Sequence, residues 1–150
     1  MNKKILIVIS LVALIFISCN DDEATVVKNG SSTISGVATC QLDLTNSGEE
    51  YVPAGTKIIA TINTQDLVNS PNANITYPNR TFTTTIGDNG KYSLTVDANV
   101  KTVTVNITGS DFEYDQVIGV DTYSRKVYSC SPTTVTVVDG VSKIEDLYFQ

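Results

Sequence analysis

Thr81-Phe82-Thr83-Thr84-Thr85-Ile86-Gly87-Asp88-Asn89-Gly90-Lys91-Tyr92-Ser93-Leu94-Thr95-Val96 decides the fold class. Two runs rich in β-branched and aromatic residues flank a Gly-Asp-Asn-Gly cluster, and Asn-Gly supplies the positive φ that tight β turns require. Residues 81–86 and 91–96 therefore read as the two strands of a hairpin.

Working outward, residues 33–44 alternate β-branched and polar positions and read as the first strand. Turn clusters follow at Asn46-Ser47-Gly48-Glu49-Glu50 and Pro53-Ala54-Gly55, with a second strand at 57–62. Residues 65–80 hold Pro71, Pro78 and several Asn with neither period, and form the longest loop. Downstream, residues 101–108 place Val103, Val105 and Ile107 on one face, and further strands are expected at 112–118, 124–128 and 133–138. Asp139-Gly140 reads as a last hairpin leading into a closing strand at 143–149. No segment shows a 3.6-residue period over a useful length. The chain is expected to be all-β, a β-sandwich of about seven to eight short strands.

Ser35-Gly36-Val37, Pro53-Ala54-Gly55-Thr56-Lys57-Ile58 and Gly87-Asp88-Asn89-Gly90-Lys91-Tyr92-Ser93-Leu94 together resemble the carboxypeptidase regulatory-like, transthyretin-type (prealbumin-like) family. The resemblance covers residues 33–108. It implies a seven-stranded Greek-key sandwich and a non-catalytic accessory or adhesive role, since such motifs report architecture more than activity.

The beginning of the chain is of another kind. Lys3 and Lys4 precede an apolar run at residues 5–17 broken only by Ser10. A membrane-spanning helix needs about 20 apolar residues, so this run has the length of a signal-peptide core. Phe16-Ile17-Ser18-Cys19 resembles a bacterial lipobox, with Phe16 where Leu is usual. The resemblance implies cleavage before Cys19 and its lipidation, and several acyl chains anchor stably where one holds only marginally. Asn20, Asp21, Asp22 and Glu23 follow at once, and such a cluster resembles the surface-export signal of Bacteroidota lipoproteins; the alternative is a solvated acidic linker. Three parts result: a lipoprotein signal peptide at 1–18, a lipidated Cys and flexible acidic tether at 19–32, and the sandwich at 33–150.

Composition narrows the chemistry. The formal net charge is −6 with no basic stripe, which argues against nucleic-acid binding. There is no His, so the commonest general base and metal ligand is missing, and no Cys or Ser has an imidazole partner. No enzyme and no cofactor is expected. With Cys19 assigned to lipid, Cys40 and Cys130 form an even pair in an exported protein and read as a disulfide; the alternative is two buried small hydrophobes.

Two clusters are candidates for binding. In the 65–80 loop, Tyr77 reads as an exposed aromatic with Asn72, Asn74, Asn79 and Arg80 as polar neighbours; the alternative is a mobile loop without a ligand. Asp111, Glu113 and Asp115 alternate and would share a strand face, with Asp121 near enough to join, a weak Ca²⁺ candidate. A solvated acidic face with Phe112 and Tyr114 turned to the core is the preferred reading. Glu145-Asp146-Leu147-Tyr148-Phe149-Gln150 resembles a viral protease site, but its apolar positions also suit a closing strand and it is read as native. The expected function is that of an outer-membrane, surface-exposed lipoprotein, a non-catalytic module contacting a glycan, a protein or an uptake complex. The alternative is a structural envelope protein that stabilises an outer-membrane assembly through sheet-edge contacts.

Overall fold

The computed structural model describes residues 30–150; the leader, Cys19 and residues 20–23 lie outside the described residues. The strands, numbered in chain order, are β1 (Gly30–Cys40), β2 (Glu50–Tyr51), β3 (Lys57–Asn63), β4 (Asn79–Thr85), β5 (Lys91–Ala98), β6 (Val103–Gly109), β7 (Phe112–Gly119), β8 (Thr122–Tyr128), β9 (Thr133–Val137), β10 (Lys143–Ile144) and β11 (Leu147–Phe149). Among the described residues, one 3-10 turn, Thr64–Leu67, interrupts them. β1 and β3 to β9 are the strands of five residues or more. No helix among the described residues is long and apolar enough to cross a membrane.

β1 is the centre of a five-stranded sheet. It runs antiparallel to β5 from Gly30↔Ala98 to Val37↔Lys91 and to β2 at Thr39 and Cys40. On its other side it runs parallel to β10 and β11. A second sheet has the order β4-β3-β6-β9, antiparallel throughout, and β7 and β8 form a two-stranded ribbon. The period-2 pattern explains the packing. Ile34, Ala38, Tyr92, Leu94 and Val96 of one sheet and Ile58, Ala60, Ile62, Val103, Val105, Ile107, Val135 and Val137 of the other form one buried cluster. Burial of such aliphatic side chains stabilises by about 1.5–3 kcal/mol each. The molecule is a β-sandwich.

The turn at 87–90 forms as expected, but it does not close a hairpin. Gly87 N–H donates to the Lys91 carbonyl at 2.9 Å, and Gly90 takes φ 71°. Beyond it β4 pairs with β3 over seven positions, whereas β5 pairs with β1 over eight. Asn-Gly sets only the reversal; longer partners on either side pull the two strands into different sheets. β1 also begins at Gly30, so Gly30, Ser31 and Ser32 are strand, and buried Ser32 donates its hydroxyl to the Val141 carbonyl.

Asp139-Gly140 likewise carries the chain between sheets, from β9 to β10, in place of the expected hairpin. The Asp139 carboxylate accepts Ser31 N–H at 2.9 Å and Gly140 N–H reaches the Ser31 carbonyl at 2.9 Å. The closing segment is parallel to β1 and is broken between β10 and β11, where its backbone crosses Gly36. There Glu145 N–H donates to the Ser35 carbonyl at 2.9 Å, and the Asp146 carboxylate accepts Val37 N–H at 2.8 Å in place of a backbone carbonyl. Leu147 and Phe149 enter the core.

Cys40 and Cys130 are buried free thiols, which corrects the expected disulfide. Cys40 pairs with Phe149 on one side of β11, and Cys130 forms a bridge to Phe149 on the other. Two strand spacings, about 9–10 Å, therefore separate them, beyond the limit of about 7 Å between bridged Cα atoms. Burial, reinforced by Glu50 and Glu49, pushes the Cys40 thiol up to about 12, and burial raises Cys130 as well. Iodoacetamide at pH 8 is accordingly expected to spare both in the native chain and to modify both in denaturant without reductant. Intact mass reads this directly, and two thiols that react only after reduction would restore the bridge.

Candidate functional site

The β7–β8 ribbon is held to the sandwich through one of its faces. Phe112 stacks on buried Tyr128 with centroids 5.1 Å apart and meets Phe149 at 5.6 Å. Gln116 donates to the Gln41 carbonyl at 2.8 Å, and the Tyr128 hydroxyl donates to the same oxygen at 2.6 Å. Leu44 N–H to the Val117 carbonyl (2.8 Å) and Val117 N–H to the Leu42 carbonyl (2.9 Å) fasten β7 to the chain that follows β1. The reversal at Val120-Asp121 projects outward, with Asp121 at φ 51° and Val120 92% exposed.

On the other face, the register pairs Asp115 with Arg125, Glu113 with Val127 and Val117 with Tyr123. Arg125 donates from Nε and Nη2 to Glu113 Oε2 (3.2 and 2.9 Å) and from Nη1 to Asp115 Oδ1 (3.1 Å). The two carboxylates raise the Arg125 pKa, Glu113 most. Ion pairs this exposed add little stability. Their consequence is geometric: the guanidinium is fixed and the two acids are spread along one face. Glu113, Tyr114, Asp115, Tyr123 and Arg125 line a groove of about 550 Å³.

This arrangement corrects the Ca²⁺ candidate. Glu113 and Asp115 do share a face, but Arg125 bridges them, and Asp111 precedes the strand. Among the described residues, no three acidic, Cys or His side chains are grouped to hold a metal. Phe112 packs against the core as expected, whereas Tyr114 is 39% exposed. Arg125 was not singled out from the sequence; counting back across the Val120-Asp121 reversal would have placed it opposite Asp115.

The 65–80 loop is more ordered than its composition suggests. Its base is closed by Thr64 N–H to the Pro78 carbonyl at 3.1 Å. Asn99 donates to the Leu67 carbonyl at 3.0 Å, Lys101 to the Asn69 carbonyl at 2.6 Å, and Thr104 N–H to Asp66 at 2.9 Å. Asn72 N–H donates to the Tyr77 hydroxyl at 2.8 Å, and the Asn72 side chain accepts Asn74 N–H at 2.9 Å. The loop thus brings Asn72, Asn74 and Tyr77 together, with Tyr77 half-buried rather than exposed. Asn79 and Arg80 belong to β4, where Arg80 pairs with Asp97 of β5.

No family model matches the chain, and no curated protein matches it. Among solved structures it is similar to a Bacteroides thetaiotaomicron DUF1812 protein described as a candidate polysaccharide-binding protein (TM-score 0.39, 11% identity, covering 79% of this chain and 46% of that one). It is also similar to the shaft pilin SpaA of Lactobacillus rhamnosus GG (TM-score 0.42, 9% identity, 81% of this chain and 50% of that one). A third is the major plantain pollen allergen Pla l 1 (TM-score 0.37, 11% identity, 79% of this chain and 93% of that one). The chain spans about half the length of the first two. At these identities the likeness concerns the β architecture alone.

Proposed function

We propose that the protein is a lipid-anchored, non-catalytic binding module whose ligand contact is the groove on the β7–β8 ribbon. The supporting observation is the Arg125 fork held by Glu113 and Asp115 beside the exposed rings of Tyr114 and Tyr123. Fixed N–H donors, carboxylate acceptors and amphipathic rings in one groove suit a hydroxyl-rich ligand such as a glycan. The packed opposite face holds the groove rigid before binding, which lowers the ordering cost. A glycan array on the full chain, followed by calorimetry on the best hit, tests the reading. Arg125→Ala and Tyr123→Ala are each expected to weaken binding at least about tenfold; undiminished binding by both variants rejects the groove.

Anchoring belongs to the same proposal: Cys19 carries the lipid, and residues 20–23 direct the protein to the outer surface of the outer membrane. Replacing Asp21, Asp22 and Glu23 by Ala is expected to shield the protein from protease added to intact cells, and unchanged cleavage refutes the export role. A second reading, a structural role through strand addition, draws on β4. It is the outer strand of the four-stranded sheet, with all but Phe82 and Thr84 exposed, and it holds no Pro or Lys. Co-purification of one partner in fixed stoichiometry would favour it.

A further inference from the structure

We infer that the outer face of the five-stranded sheet is a second binding surface, which takes an extended, uncharged polysaccharide with Tyr51 and Tyr148 as its two stacking rings. Thr39 of β1 pairs with Tyr51 of β2 on one side and with Tyr148 of β11 on the other. Directly opposed residues project to the same face of a sheet. Their chain neighbours Ala38, Cys40, Val52, Leu147 and Phe149 are buried, so the row Tyr51-Thr39-Tyr148 points away from the core. The rings are 56% and 45% exposed and stand two strand spacings apart, about 9–10 Å. That separation is close to the length of a disaccharide unit. Two plates on a flat pleated face suit alternate sugars of a chain better than they suit a small ligand, which would seek a concave site.

Tyr51 is pre-positioned, because its ring lies over Gly90: a Cβ at Gly90 would fall 2.6 Å from Tyr51 Cδ1. Between the rings, the Thr39 hydroxyl donates to Glu49 at 2.7 Å and so offers its own oxygen as an acceptor. Along the same face, Ser35 stands between Ser93 and Ile144, extending the row of hydroxyl and apolar positions.

Charge selects among polymers. Two carboxylates rim the row and are held there: Glu49 by Thr39 and Asp146 by the Val37 N–H at 2.8 Å. Lys91 opposes them as a single cation beside Val37. A polyuronate or sulfated chain would meet net repulsion, whereas a neutral chain meets acceptors for its hydroxyls. This surface does not share a residue with the β7–β8 groove, and neither reading requires the other.

Affinity electrophoresis of the full chain in nonionic detergent decides the matter, in gels containing mixed-linkage β-glucan, glucomannan, xylan or polygalacturonate. Retardation is expected in at least one neutral polymer and not in polygalacturonate. Tyr51→Ala with Tyr148→Ala should weaken it at least about tenfold, with the melting temperature confirming that the variant is folded. Tyr51→Phe with Tyr148→Phe should retain it, because the plates remain. The inference is overturned if no neutral polymer retards the chain, if polygalacturonate retards it more, if the double Ala variant behaves as the parent, or if the Phe variant loses binding. Retardation that Arg125→Ala abolishes and Tyr51→Ala with Tyr148→Ala spares would likewise overturn it and assign the binding to the ribbon groove.

Discussion

Phe149→Ala is expected to destabilise the chain by about 3–5 kcal/mol, the range for deleting a fully buried aromatic side chain. Against a typical total of about 5–15 kcal/mol this leaves a marginal fold. The site is badly placed to collapse. Phe149 is 0% exposed, sits between Cys40 and Cys130, and lies so close over Gly109 that a Cβ there would fall 2.1 Å from the ring Cζ. On the strands to either side its neighbours are small thiols on paired backbone, with little freedom to move inward. Phe112, 5.6 Å away, would lose a wall of its own packing, so the ribbon should loosen with the core. Urea unfolding measures the cost, and a loss below about 1 kcal/mol would contradict the placement of β11 in the core.

Gly36→Ala is expected to cost about 3 kcal/mol, the upper end for forced overpacking. A Cβ at Gly36 would lie 1.9 Å from the Glu145 carbonyl oxygen and 2.6 Å from its carbon, both backbone atoms. The carbonyl cannot simply swing away: it accepts the Tyr92 hydroxyl at 2.5 Å, and the flanking Glu145 N–H and Asp146 carboxylate are bonded to β1. Relief therefore requires moving the closing segment off β1. Gly48→Ala is the control, since its nearest contact is 3.5 Å away; it should change stability by no more than about 0.5 kcal/mol. Equal effects at the two positions would contradict the crossing at Gly36.

Alternation made the inner faces legible in the sequence, as Val103, Val105 and Ile107 illustrate, because the side-chain period is a property of each strand alone. Partner choice was not legible. Asn89-Gly90 and Asp139-Gly140 announce a reversal of direction, which is local chemistry, while membership of a sheet is settled by residues far away in the chain. Gly36 was visible as part of a motif, yet its reason is a backbone that arrives from residue 145. The same limit applies to the candidate sites. Arg125 meets Glu113 and Asp115 only once the register through Asp121 is known, and Tyr51 and Tyr148 become a pair only through Thr39. The two cysteines suggested a bridge by count, and it is Phe149 between them that forbids it.

The parallel pairing of β1 with β10 and β11 also bears on when the sandwich can close. Ser31 and Val37 find acceptors in Asp139 and Asp146, 108 and 109 residues downstream. Contacts of such separation carry a large loop-closure entropy and slow folding. A chain emerging from its amino end can join β1 to β5 once residue 98 is present, but the far side of β1 stays without partners until residues 139–149 arrive. Completion of the native state is therefore timed by the last strand to appear, and every earlier intermediate presents the unpaired side of β1 to its surroundings.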